Sequence, residues 1–103
     1  MVRELSPVEG SEQAGLRPAL VVLRDELNRT GMCMVVPGTT RLKNRPGRVT
    51  LPHGEGGVER ETYLLCDQLR TVDSVRMRRR CGNVDARYLG QVLTIVRYFL
   101  TVP

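Results

Sequence analysis

The sequence has no tryptophan and only four aromatic residues, three of which lie close to the carboxy terminus, so stacking on a binding surface is limited or comes from Tyr63. It also has a single histidine, His53, and histidine is the commonest metal ligand. Its three cysteines lie far apart with no C-x-x-C pair: Cys33, Cys66 and Cys81. We therefore expect no metal site and no cofactor. Cysteines in apolar runs, as at Cys33 and Cys66, behave as small buried residues and suit a reducing compartment.

Long hydrophobic runs are absent as well. No uninterrupted apolar run exceeds five residues, whereas a membrane-spanning helix needs about 20. The amino terminus alternates polar and apolar residues and lacks the apolar stretch of a signal peptide. We expect one cytoplasmic domain over residues 1–103, with no membrane association.

Positive charge is what the chain has in excess, with a formal net charge of +5. Four cations fall between residues 41 and 48 without a carboxylate, and five arginines fall between residues 70 and 80 against Asp73 alone. Such clusters favour an acidic partner, either a nucleic acid backbone or an acidic protein. A solvated basic face that binds nothing specific stays open as the alternative.

Short β-branched runs predict strands over residues 18–23, 32–36, 48–51 and 62–69. Apolar residues from Tyr88 to Leu100 recur at helical spacing, and Asp85 suits an N-cap, which predicts an amphipathic helix over residues 86–101. The glycine-rich segment 52–57 is expected to be a mobile loop without the spacing of a phosphate-binding loop. Several short strands closed by one helix indicate an α+β fold around a strongly bent sheet.

Three motifs then follow in order: GSEQAGLRP over residues 10–18, TGMCMVVPGTT over residues 30–40, and DQLRTVDS over residues 67–74. In this order they resemble the MazF/PemK toxins of bacterial toxin–antitoxin systems, over nearly the whole chain. The resemblance implies a small SH3-like β-barrel of the CcdB/PemK type with a C-terminal α-helix, and a homodimer. It also implies a cognate MazE-like antitoxin, and DNA binding by the toxin–antitoxin complex.

The activity that the resemblance implies is metal-independent, sequence-specific cleavage of single-stranded RNA. The ribose 2′-hydroxyl attacks the adjacent phosphorus and leaves a 2′,3′-cyclic phosphate and a 5′-hydroxyl. Arg17 matches the arginine of the family's catalytic set, and a guanidinium can stabilise charge developing at phosphorus. Thr40 matches the family threonine, whose hydroxyl can bond a phosphate oxygen or orient the attacking group. Glu12 either holds Arg17 or takes part in proton transfer.

The remaining candidates are expected to bind the RNA substrate through phosphates or base edges. They are Gln13, Asn28, Arg29, Thr39, Arg41, Asp67 and Gln68. Plasmid-borne relatives carry an arginine two residues before the aspartate that Asp67 matches, whereas Leu65 stands there in this chain. We therefore expect Asp67 to be structural, binding a base edge or Arg70.

The chain departs from the family pattern at the amino terminus too, where only residues 2–7 stand in place of a longer strand. We expect this short strand to leave an unpaired sheet edge. Two other functions stay open. A gyrase poison of the CcdB type shares the implied fold, but such toxins depend on a tryptophan that this chain lacks. The second is a degenerate toxin that binds RNA or antitoxin without cutting. Replacing Arg17 by alanine distinguishes it from an enzyme, because the change should abolish cleavage by an enzyme and leave binding to RNA or antitoxin largely intact.

Overall fold

The computed structural model describes residues 2–5, 17–22, 31–41 and 44–100. Within these residues the chain forms seven strands and one helix. They are β1 (Val2–Leu5), β2 (Arg17–Val21), β3 (Met32–Thr39), β4 (Arg48–Leu51), β5 (Thr62–Leu65), β6 (Arg70–Asp73), β7 (Met77–Gly82) and α1 (Ala86–Leu100). Single turns of 3₁₀ helix cover Glu55–Gly57, Cys66–Gln68 and Ser74–Arg76.

All strand pairs are antiparallel, in the order β4-β5-β3-β2-β1-β7, and β6 also pairs with β3. Strand β3 is the centre of this sheet. One of its edges pairs with β2, while the other pairs with β6 over Met32–Val35 and with β5 at Gly38 and Thr39. The sheet therefore divides along β3, which gives it a strongly bent form whose end strands are β4, β6 and β7 within the described residues.

Pro37 lies where β3 changes partner. The carbonyl of Met34 accepts a hydrogen bond from the Val22 N–H, so Met34 points its polar backbone groups toward β2. Successive residues of a strand point these groups to alternate edges, and Pro37 therefore faces the edge shared by β5 and β6. Proline has no N–H to donate, and it falls in the gap between the last pair with β6 and the first pair with β5.

Alternation along the strands produces two apolar clusters on opposite faces of the sheet. The larger contains Leu20, Val36, Val49, Leu51, Val58, Leu64, Cys66 and Val92, and α1 packs against it. The smaller contains Ala19, Val21, Cys33, Val35 and Val72. Burial of Cys33 and Cys66 agrees with the prediction from the sequence.

Helix α1 spans 15 residues and begins directly after Asp85, the predicted N-cap. The Asp85 carboxylate accepts a hydrogen bond from the Arg87 backbone N–H at 2.9 Å, which satisfies a donor of the first turn. Only Val92 is fully buried, and Tyr98 and Leu100 are 76% and 69% exposed. In the described part of the chain, no helix has the length and apolar character needed to cross a membrane.

The strands over residues 18–23, 32–36 and 48–51 and the helix are found close to their predicted positions. The predicted strand over residues 62–69 was too long, because the chain turns after Leu65 into the 3₁₀ turn at Cys66–Gln68. The expectation of an unpaired edge at the amino-terminal strand was wrong. Four residues of β1 pair with β2 on one side, and three of them pair with β7 on the other.

The glycine-rich segment folds as a 3₁₀ turn against β7 rather than as an open loop. Gly57 has a φ of +83°, and a Cβ atom there would lie 2.2 Å from the Cys81 carbonyl oxygen. The Glu55 carboxylate accepts a hydrogen bond from the Asp85 backbone N–H at 2.6 Å, just before α1. The turn therefore contacts both β7 and the residue that precedes α1.

Replacing Gly57 by alanine should destabilise the fold far more than replacing Gly54. Gly54 has a φ of +92° with nothing within 4 Å of an added Cβ, so Gly54→Ala carries only the backbone strain, about 1–2 kcal/mol. Gly57→Ala adds a collision with backbone and should cost about 3 kcal/mol or more. Urea unfolding of both variants at one protein concentration measures the difference. Equal losses of unfolding free energy would contradict the close packing of the turn on β7.

Candidate active site

Strand register brings several of the predicted site residues to one end of the sheet. Strand β2 begins at Arg17, and its antiparallel neighbour β3 ends at Thr39. Ala19 is paired with Pro37, so the same register continued by two residues places Arg17 beside Thr39. Thr39 is in turn opposite Tyr63, and Tyr63 is opposite Thr50. Opposed residues of antiparallel strands share a face. Four residues therefore form one row across β2, β3, β5 and β4, which we call the site row: Arg17, Thr39, Tyr63 and Thr50.

The site row combines exposed and buried side chains. Arg17 and Thr50 are exposed, Tyr63 is half-buried and Thr39 is buried. Gly38, next to Thr39, keeps the strands close, since a Cβ atom there would lie 2.8 Å from Thr62 Cγ2 and 3.3 Å from the Pro18 carbonyl oxygen. An exposed guanidinium at such a strand end offers a planar set of donors that suits phosphate oxygens.

Thr39 shapes the bend that follows β3. Its hydroxyl oxygen accepts a hydrogen bond from the Arg41 backbone N–H at 3.2 Å. Thr40 and Arg41 lie in this bend, and both are exposed. Thr39 thus accepts the hydrogen bond at this end of the sheet. Thr40 and Arg41 are both exposed on the surface beside the site row.

Tyr63 is held by two charged neighbours. Its hydroxyl donates a hydrogen bond to a Glu61 carboxylate oxygen at 2.6 Å, and the Arg48 guanidinium carbon lies 5.3 Å from the centre of its ring. The hydrogen bond to Glu61 is the main cause that raises the pKa of the Tyr63 phenol above its usual value. The phenol therefore acts as a neutral hydrogen-bond donor. Sequence reasoning missed Arg48 and Glu61 as site residues, although Arg48 begins one predicted strand and Glu61 directly precedes another.

Asp67 and Gln68 lie in the 3₁₀ turn that follows β5, and both contact Arg45. The Asp67 carboxylate forms an ion pair with Arg45, and with its amide oxygen turned toward Arg45, Gln68 accepts from Nη1 at 3.1 Å and Nη2 at 3.2 Å. The expected pairing of Asp67 with Arg70 is thus replaced by pairing with Arg45. Sequence reasoning missed Arg45 as a partner, and its only signal was its place in the basic segment 41–48.

This turn also borders a cleft of about 280 Å³ between the sheet and the end of α1. The lining residues are Cys66, Asp67, Leu69, Val96, Phe99 and Leu100. Burial raises the pKa of the Cys66 thiol to about 11, so it stays protonated and is a poor nucleophile at neutral pH.

Four of the predicted site residues lie outside the described part of the chain: Glu12, Gln13, Asn28 and Arg29. Among residues 2–5, 17–22, 31–41 and 44–100, no three histidine, cysteine or carboxylate side chains come together as metal ligands would. His53 is exposed on the segment before the glycine-rich turn. The described groups of the site row and the bend after it include the guanidiniums of Arg17 and Arg41 and the hydroxyls of the two threonines.

Comparison with known sequences gives a family for the chain. The model of the PemK-like, MazF-like toxins of type II toxin–antitoxin systems matches residues 2–100. Endoribonuclease EndoA of Bacillus subtilis is 34% identical over 92 residues, which cover 86% of this chain and 79% of that protein. Endoribonuclease toxin MazF of Escherichia coli is 43% identical over 70 residues, which cover 67% of this chain and 60% of that protein.

Solved structures agree with this result. MazF of Deinococcus radiodurans superposes with a TM-score of 0.79 at 32% identity, covering 96% of this chain and 91% of that one. A MazE–MazF structure from the same organism gives a TM-score of 0.79 at 28% identity, with coverage of 99% and 92%. The bent antiparallel sheet with its C-terminal helix is thus the barrel-like fold that the sequence motifs implied. The chain belongs to the PemK-like, MazF-like family of toxins of type II toxin–antitoxin systems.

Proposed function

We propose that this toxin is an endoribonuclease that cuts single-stranded RNA at specific short sequences without a metal ion. The observation that carries the proposal is the site row, in which Arg17 lies beside Thr39, with Thr40 and Arg41 following directly in an exposed bend. The endoribonuclease names of EndoA and MazF support the same activity. A cation and a hydroxyl at one sheet end are the groups that an internal transfer at phosphorus requires.

In the proposed reaction the ribose 2′-oxygen forms a bond to the adjacent phosphorus, and the bond from phosphorus to the 5′-oxygen breaks. The 2′-hydroxyl loses its proton, the 5′-oxygen gains one, and no water is consumed in this step. The products are a 2′,3′-cyclic phosphate and a 5′-hydroxyl. Arg17 donates to the non-bridging oxygens as charge develops on them, which is where a fixed guanidinium lowers the barrier most.

Thr40 and Glu12 complete the proposed catalytic set. The exposed Thr40 hydroxyl bonds a non-bridging oxygen or orients the 2′-hydroxyl. Glu12 accepts the proton from the 2′-hydroxyl or holds the Arg17 guanidinium in place. Glu12 precedes Arg17 by five residues in the sequence, within the GSEQAGLRP motif.

The RNA is proposed to run over the basic surface next to the site row. Arg41 and Arg48 are exposed there, and Gln13, Asn28 and Arg29 are proposed to reach the same strand of RNA. Thr39 contributes by fixing the bend that carries Arg41. Asp67 and Gln68 contribute through Arg45, whose guanidinium they orient.

Protein partners are proposed to cover the apolar end of α1. Leu93, Phe99 and Leu100 are 46%, 39% and 69% exposed, which is unusual for large apolar side chains in one helix of a small domain. We infer a homodimer and a MazE-like antitoxin as partners, and the MazE–MazF structures from Deinococcus radiodurans support the second.

The proposed function predicts that Arg17→Ala abolishes cleavage. Loss of one charge-stabilising donor should lower the rate at least about 100-fold, and Arg17→Lys should recover only part of it, because a single ammonium cannot reproduce the planar fork. Arg70→Ala is the matched control, since Arg70 is an exposed strand arginine on β6. The measurement is cleavage of a long RNA in excess chelator, with the new ends mapped and tested for a 5′-hydroxyl.

Discrete cuts by the unmodified chain and the Arg70 variant, absent with Arg17→Ala, would support the proposal. Intact RNA with folded protein, or full inhibition by chelator, would contradict it. The first of these outcomes would instead indicate a degenerate toxin, which should still bind RNA or antitoxin.

A second prediction concerns the Arg45–Asp67 ion pair. If Asp67 acts through Arg45, the variants Arg45→Ala and Asp67→Ala should not have additive effects on RNA binding, and the double variant should resemble Arg45→Ala. The pair is partly exposed, with side-chain exposures of 36% and 24%, so its effect on folding should stay below about 1 kcal/mol. Fluorescence anisotropy of labelled, uncleavable RNA measures binding. Additive losses would show that Asp67 meets the RNA by itself.

A further inference from the structure

Tyr63 is the aromatic residue that the sheet presents, since the other three aromatic residues, Tyr88, Tyr98 and Phe99, belong to α1. Alternation along β5 sends Thr62 and Leu64 into the larger core, where they are 1% and 0% exposed. Tyr63 therefore lies on the opposite face, in the site row beside Thr39. Its ring is only half-buried, so part of it is open to solvent next to the residues proposed to hold the scissile phosphate.

Two contacts fix the orientation of this ring. Glu61 accepts the phenol hydrogen at 2.6 Å, and the exposed Arg48 lies over the ring with its guanidinium carbon 5.3 Å from the ring centre. Strand register agrees with this geometry, because Arg48 is two residues from Thr50, which is opposite Tyr63. The ring and the guanidinium therefore form a cation–π pair before any ligand binds.

We propose that Tyr63 and Arg48 form a stacking platform for one nucleobase of the bound RNA, adjacent to Arg17 and Thr39. This inference rests on the proposed function, for which it supplies a base-binding position. Single-stranded RNA is recognised largely by stacking of splayed bases on aromatic rings and arginine planes, and both surfaces are present here. The Glu61 carboxylate beside the phenol would repel a phosphate, so a base fits this position better than the RNA backbone does.

The platform should contribute affinity rather than strict selection among the four bases. Every base has a π face, and stacking is therefore tolerant of sequence. Hydrogen bonds from other residues would have to supply the selection of the cleavage sequence. Because the phenol hydrogen is already donated to Glu61, removing the hydroxyl should change binding little, whereas removing the ring should change it greatly.

The test uses an uncleavable 2′-O-methyl RNA that contains the mapped cleavage sequence, or a pool of such RNAs where no cleavage is seen. We expect Tyr63→Leu to weaken binding about 5- to 150-fold, the range that one stacked base gives, and Tyr63→Phe to stay within about twofold. Tyr98→Leu is the matched control, because Tyr98 is a 76% exposed tyrosine on α1. Binding is measured by fluorescence anisotropy at fixed salt.

Abasic substitution at each RNA position in turn identifies the stacked base. One abasic position should weaken RNA binding to the unmodified protein as much as Tyr63→Leu does. In the Tyr63→Leu variant, the same abasic position should weaken binding little further. Arg48→Lys, which retains the charge without a planar group, should lose part of the same affinity, and it gives an independent result if Tyr63→Leu does not fold. Additive losses at every abasic position, or unchanged binding by Tyr63→Leu and Arg48→Lys, would overturn the platform.

Failure of the platform and failure of the proposed function give different results. If the RNA is cut but Tyr63 shows no coupling to any base, the ribonuclease proposal stands and the platform is wrong. If an abasic position couples to Tyr63 but the long RNA of the cleavage assay stays intact, the platform stands and the catalytic proposal is wrong. If the unmodified chain binds no RNA in the pool, both are wrong.

Discussion

Strand β3 has to pair with three neighbours, and Pro37 lies at the point where its partner changes. Toward β2 the strand forms a regular ladder, but Pro37 cannot donate a hydrogen bond to the other edge, and there the pairing passes from β6 to β5. This change of partner bends the sheet and lets the 3₁₀ turn at Cys66–Gln68 lie between the two neighbours. The bend also lets α1 pack on the larger apolar cluster while the smaller one stays on the other face.

The candidate site depends on the same arrangement. Because β5 rather than β6 pairs with the last residues of β3, Tyr63 comes to lie beside Thr39, with Arg17 on the other side from β2. The site thus combines a guanidinium, a hydroxyl-bearing bend and an aromatic ring drawn from three strands. Asp67 lies beyond the far end of β5 and holds Arg45, so the turn contributes to the surface through a second arginine.

Local patterns in the sequence predicted much of this fold. The β-branched runs of β2 and β3 and the helical spacing of α1 reflect burial that is decided within a few residues, and Asp85 caps the helix as expected. Strands β6 and β7 were missed because RTVD is short and largely polar and MRRRCG is rich in arginine, so neither shows clear apolar alternation. They form by pairing with β3 and β1, which is a long-range property. The Arg45–Asp67 contact spans 22 residues and was missed for the same reason.

The site residues, too, were only partly predictable from the sequence. The motifs predicted Arg17, Thr39, Thr40 and Arg41 as site residues, and the register of β2 and β3 brings them to one end of the sheet. The separate roles of Thr39 and Thr40 were not predictable from two adjacent threonines, because only the bend after β3 decides which hydroxyl turns back to the backbone. The sequence marked Arg48 only as part of the basic segment 41–48 and did not mark Glu61, since their importance comes from the position of Tyr63.

The proposed ribonuclease binds the scissile phosphate of an RNA at the site row. A crystal structure of the protein with an uncleavable 2′-O-methyl RNA would test it most directly. We expect one phosphate within hydrogen-bond distance of the Arg17 guanidinium and the Thr40 hydroxyl, with the RNA strand running toward Arg48. An RNA phosphate bound at Arg45 and the cleft beside α1, with Arg17 untouched, would contradict the account.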